Sequence, residues 1–204
     1  MNRLKTLSLR LSAIACALLL LATVVACDKD DDADMSNWED RNQMYYHDAY
    51  NAAMACILSN DTTWSLLFKN NGETQPTNVV LVCTVKKGKG TDTPQSTDSV
   101  KVHIKGQLVP STSHPDGYTF LTSYNETSAA AAHPLTFSAD GKMANTTTPS
   151  VEGLGMVLQK MHVGDHCRVY LPYELGYGTA GCPSMDIPPY STLTYDITLI
   201  EIIK

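Results

Sequence analysis

The chain has 204 residues, 43% of them hydrophobic, with 15 Lys and Arg against 21 Asp and Glu and a formal charge of −6. That length and apolar content suit one ordinary domain core with a small extra element, and they exclude a fibrous or wholly disordered chain. The acidic balance argues against nucleic acid as a partner.

Arg3, Lys5 and Arg10 precede an uncharged apolar run from Leu11 to Val25, the pattern of a secretory signal over residues 1–26. The run ends Val24-Val25-Ala26-Cys27, which resembles the lipobox of bacterial lipoproteins. The resemblance implies cleavage before Cys27, lipidation of its thiol and acylation of the new amino terminus. The alternatives are an uncleaved membrane helix, or a signal cut at a small residue with Cys27 incidental. The expected attachment is to a membrane through acyl chains on Cys27, in the bacterial cell envelope, at the outer membrane and with possible surface exposure. Beyond residue 26 the chain carries 12 Lys and Arg against 21 Asp and Glu, or −9.

Residues 27–35 hold five Asp and one Lys, a solvated run that reads as an acidic tether. It also resembles signals that follow the lipidated cysteine in some surface-exposed lipoproteins; a plain spacer is the other reading. Four cysteines remain after Cys16 and Cys27, namely Cys56, Cys83, Cys167 and Cys182, with no CxxC spacing among them. Buried free thiols are expected for most, and the sequence does not choose among disulfide pairings.

Residues 36–75 read as a helical segment. Ser36 and Glu39 fit a capping box. Trp38, Tyr46, Ala49, Tyr50, Ala53, Met54 and Ile57 recur at three and four through about Ser59, which makes one face for burial. Asn60-Asp61 ends this helix, and a second short amphipathic piece around Trp64, Leu66, Leu67 and Phe68 stops at Asn70-Asn71-Gly72. The stripe either packs on the following domain, the favoured reading, or serves as a docking surface, with a homodimer through residues 36–70 as one form.

Residues 76–204 read as the main domain. Val79–Val85 is a β-rich run closed by a Lys/Gly turn, and Val100–Leu108 alternates apolar and polar residues as a half-buried strand does. Tyr118–Phe120 and Pro134–Phe137 are short extended pieces. Residues 151–161, VEGLGMVLQKM, are the one helical pattern in this half, weakened by two glycines. Cys167–Leu171 and Leu193–Leu199 are strands, and between them lies a loop rich in Gly and Pro that could wall an apolar pocket. The fold class is therefore α+β, an antiparallel sheet of about five strands on one short helix, preceded by a helical segment.

The strand VKVHIKGQL, the turn DGYTF, a helix followed by MHVGD, LPYELGYG and IPPYSTLTYDITLIEI occur here in that order. Together they resemble the FKBP family of peptidyl-prolyl isomerases over about residues 79–203. The resemblance implies Pro-containing polypeptide substrates, rotation about X-Pro bonds, assistance to protein folding, and no cofactor or metal. It implies that Tyr177 offers its hydroxyl to a substrate carbonyl, that the Val151 amide is a second donor, and that Phe120, Ile187 and Tyr195 line the pocket over Leu154. Leu121 stands where the family has Asp. Ile104, Leu135 and Leu154 stand where it has aromatics, and Cys182 where many members have His. These departures imply a less aromatic and less polar pocket with weak or altered catalysis. The alternatives are a binding module on the same fold, or a dimeric scaffold. His162 and His166, four apart, are a poor metal pair because Gly164 sits between them, and no nucleophile elbow supports hydrolysis.

Overall fold

The computed structural model describes residues 35–70, 76–124 and 133–204. The signal segment, Cys27 and the Asp run through Asp34 lie outside the described residues.

The first helix, α1, spans Trp38–Leu58. The expected capping box does not form its start. The N-cap is Asn37 in the left-handed conformation (φ 55°), with no side-chain cap, and Glu39 instead accepts a hydrogen bond from Gln43 Nε2 at 3.1 Å. Asn tolerates that backbone region better than most residues, and Glu39 and Asp40 still complement the helix dipole. Asn60 (φ 63°) turns the chain at the far end, as expected.

Trp64–Phe68, expected as a second helical piece, is strand β1. Five residues are too few to sustain a helix without help. Here they pair antiparallel with the edge of β2 (Val79–Lys86), Trp64 opposite Cys83 and Phe68 opposite Val79. Alternation then places Trp64 and Leu66 against α1, whereas Leu67 packs on the opposite face.

The remaining strands are β3 (Ser99–Gln107), β4 (Thr119–Thr122), β5 (Leu135–Ser138), β6 (His166–Leu171) and β7 (Leu193–Ile203). All pairings are antiparallel, in the order β1-β2-β6-β7-β3, with β4 and β5 on the free edge of β3 at its two ends. The period-two pattern of β3 sends Val100, Val102 and Ile104 into the core and Lys101, His103 and Lys105 outward. Helix α2 (Glu152–Leu158) lies on that core face, with Leu154, Val157 and Leu158 buried. Its glycines are a packing requirement: a Cβ on Gly155 would sit 2.5 Å from the Asp140 backbone. The close approach compensates for the helix propensity that glycine lacks.

β2 is buried on both faces. Val80 and Val82 join the main core beneath α2, whereas Val79 and Leu81 pack with Tyr46 under α1. The aromatic stripe of α1 is thus spent on the sheet. Tyr46 donates its hydroxyl to Val79 O at 2.5 Å, and Trp38 Nε1 donates to Ser191 Oγ at 3.3 Å.

Candidate active site

Three pieces of chain converge at one end of the core face. They are the N-terminus of α2 with the segment from β5 that leads into it, strand β4, and the loop from Leu171 to Tyr190 with the head of β7 behind it. The loop is tied to itself. Cys182 and Ile187 exchange backbone hydrogen bonds of 2.8 and 3.1 Å around the short turn Pro183–Met185. The Tyr190 amide donates to Gly178 O at 3.0 Å, and Ser191 Oγ donates to Pro188 O at 2.6 Å. Gly178 (φ 62°) supplies a left-handed corner just after Tyr177.

Tyr177 is half-buried and projects over a cleft lined by Leu121, Val151, Leu154, Tyr195 and Met185. Its hydroxyl donates to Met185 Sδ at 3.5 Å. Burial, with a smaller contribution from Cys182, pushes that hydroxyl up to about 12, so it stays a protonated donor at any physiological pH. Tyr195, fully buried, is raised further by the same cause. Phe120 meets the Tyr195 ring edge-on, centroids 5.7 Å apart. It can lie across β3 because residue 106 is glycine; a Cβ there would stand 2.7 Å from the Phe120 ring.

Tyr177, Val151, Tyr195, Leu154 and Leu121 are thus brought together around one cleft. Phe120 stands behind Tyr195, and Ile187, Ile104 and Leu135 pack in or against the surrounding core without lining the cleft. The Val151 amide is already engaged, donating to Gly141 O at 3.2 Å, so a substrate carbonyl would have to displace that bond. His162 and His166 turn to different carboxylates, Asp165 and Asp196, at 3.5 and 2.7 Å.

Sequence reasoning missed Phe137, Met143, Pro149 and Met185 as cleft residues. For Met185 a signal existed: it is the one apolar residue in the polar stretch between Pro183 and Ile187. The cleft is small, leaving about 10 Å³ for the centre of a water-sized sphere. Hollows of about 610 and 360 Å³ lie elsewhere, beside α1 and on the outer face of the sheet, but neither includes Tyr177.

The model of the FKBP-type peptidyl-prolyl cis-trans isomerase family matches residues 90–200, more than half of the chain. The chain belongs to the FKBP-type peptidyl-prolyl cis-trans isomerase family. FKBP-type peptidyl-prolyl cis-trans isomerase FkpA of Escherichia coli (strain K12) is 36% identical over 118 residues, 58% of this chain and 36% of that protein. The macrophage infectivity potentiator of Trypanosoma cruzi is 33% identical over 118 residues, 58% of this chain and 50% of that one. The chain thus spans half or less of the length of these relatives. Among solved structures, a peptidyl-prolyl cis-trans isomerase from Pseudomonas syringae pv. tomato overlays with a TM-score of 0.48 at 22% identity, covering 78% of this chain and 96% of that one. The family assignment rests on the sequence match.

Proposed function

We propose that the chain accelerates cis–trans rotation about X-Pro bonds of polypeptides while tethered in the cell envelope, and that it assists protein folding there. The observation that carries this reading is the Tyr177 hydroxyl, a polar donor over a cleft walled by Val151, Leu154, Leu121 and buried Tyr195. An unaided X-Pro amide faces a barrier of about 18–20 kcal/mol because the planar amide is resonance-stabilised. Twisting removes the resonance and lowers the amide dipole. An apolar, water-poor cleft therefore favours the twisted state over the planar one. Tyr177 donates to a flanking carbonyl and holds the chain in a turn. The step needs no nucleophile and no metal.

The tether rests on Val24-Val25-Ala26-Cys27 and the Asp run after it. Acyl chains on Cys27 would hold the protein at a bacterial membrane without a basic patch, with the outer membrane the favoured place.

A second reading, a binding module of low activity that grips Pro-containing segments, is favoured by two observations. Leu121 puts a methyl-bearing side chain where a carboxylate would orient the site, and the Val151 amide is occupied by Gly141.

A protease-coupled isomerisation assay separates the two. Native protein is expected to accelerate the reaction, and Tyr177→Phe to lower kcat/KM by about two- to tenfold, the worth of one hydrogen bond. A native rate equal to buffer would remove the enzyme reading. For the tether, fatty-acid label is expected on native protein and absent from Cys27→Ala.

A further inference from the structure

The cleft under Tyr177 is too small for the substrate assigned to it. A single water needs about 10–15 Å³ of such space, so the roughly 10 Å³ present admits no pyrrolidine ring. Something must move before a prolyl segment enters.

Part of the lining is fixed. Val151, Leu154 and Tyr195 are exposed by 2% or less and belong to the start of α2 and to the centre of the sheet. Leu121 is held in β4 opposite Gly106. Met185 differs. It is half-buried, on a three-residue turn with exposed Ser184 and Asp186 beside it, and its unbranched thioether side chain has three rotatable bonds. Its sulfur accepts from the same Tyr177 hydroxyl that a substrate carbonyl would need.

The turn is also built to return to this position. Its two ends are fixed to each other by the Cys182–Ile187 backbone pair. Asp186, in the left-handed region (φ 54°), accepts a hydrogen bond through Oδ2 from the Tyr118 hydroxyl at 3.3 Å, which links the turn to the segment entering β4.

We propose that Met185 is an internal plug of the prolyl site: it occupies the apolar cleft and the Tyr177 hydroxyl until an X-Pro segment displaces it. The occupant it selects for has an apolar ring to replace the thioether and a carbonyl to replace the sulfur as acceptor. Met185 thereby sets apparent affinity, since the open cleft is only part of the population and binding is weakened by that fraction. This rests on the cleft's assignment to X-Pro segments.

The test compares native protein, Met185→Ala and Met185→Leu, using a blocked Ala-Leu-Pro-Phe peptide. By calorimetry, Met185→Ala is expected to bind about tenfold more tightly than native, a difference of about 1.4 kcal/mol. Met185→Leu, which refills the volume without an acceptor for Tyr177, falls between and guards against a folding defect in the alanine variant. In protein labelled with ¹³C-methyl methionine, the signal missing from Met185→Leu identifies Met185, and it moves on addition of peptide. Equal or weaker binding by both variants overturns the plug, as does an unmoved methyl signal at saturating peptide or a failure of all three proteins to bind. If binding follows the expected order but none of the three accelerates isomerisation, the plug stands and the isomerase reading falls.

Discussion

Burial alone would raise both the Tyr177 hydroxyl and the Asp165 carboxyl; what separates them is the partner each finds. Tyr177 meets only a thioether and is raised. Asp165, exposed by 7%, is raised by burial but accepts from the Gly88 amide at 2.6 Å and the His162 amide at 2.8 Å, and these outweigh burial to hold it below the usual carboxylate range. A carboxyl depressed in the folded state contributes stability that is present above its ordinary value, about 3.9, and is lost as pH falls through the folded value. Asp165→Asn keeps one acceptor oxygen and turns an NH₂ toward the other amide. It is expected to cost about 2 kcal/mol at pH 7, lowering Tm by about 4–8 °C for a domain of this size. Thermal melts from pH 2 to 7 check it: the gap between native and variant should narrow below about pH 4, and a gap constant with pH would refute the argument. At this scale the sequence was informative where a residue sits in a rigid frame. The family resemblance named Tyr177, Val151 and Leu154, and they meet at one cleft, Tyr177 before a left-handed glycine and the other two at the start of α2. For Met185 the sequence shows an apolar residue in a polar turn but not its place in the cleft, because which way a flexible side chain on a surface turn folds depends on the hollow it finds.

Helix α1 is held by more than its stripe. Asn42 is fully buried within it; Oδ1 accepts from the Thr192 amide at 2.7 Å, and the Asn42 carbonyl accepts from Thr192 Oγ1 at 3.0 Å. Thr192 directly follows the Pro188–Ser191 stretch that closes the cleft loop, and Trp38 meets Ser191 one residue earlier. The helix therefore braces the end of the cleft loop. Asn42→Leu has a similar volume but leaves the Thr192 amide buried and unpaired, a cost of about 1–3 kcal/mol. The expected readout is a lower Tm together with faster hydrogen exchange at Thr192 and Leu193; faster exchange confined to α1 would show that the helix does not brace the loop. The helix itself was legible from its 3.6-residue period, whereas its cap and the strand after it were not. Asn37 took the left-handed turn ahead of a Ser36 box, and WSLLF, too short to declare a period, became a strand because β2 offered an unpaired edge.

A boundary at residue 76 looked natural in the sequence because the second amphipathic piece stops at Asn70-Asn71-Gly72 and a β-rich run follows; residues 35–70 and 76–204 fall in one compact unit. Removing residues 35–70 would take away the strand beside β2 and the helix over it. Val79 and Leu81, now without exposure, would face water, and Tyr170 would lose its stacking partner Trp64 at 6.1 Å. Exposing two fully buried aliphatic side chains costs about 3–6 kcal/mol, against a total of about 5–15 kcal/mol for a typical domain. The 76–204 fragment is therefore expected to melt well below the 35–204 chain and to bind a hydrophobic dye at 25 °C. Light scattering on the longer chain also tests a homodimer through residues 36–70: since Tyr46 and Ala53 are buried, outward residues such as Met44 and Leu58 remain for such a contact. A 76–204 fragment as stable as the longer chain would mean that α1 and β1 are an appendage; a destabilised fragment would place them in the folding unit that holds the cleft.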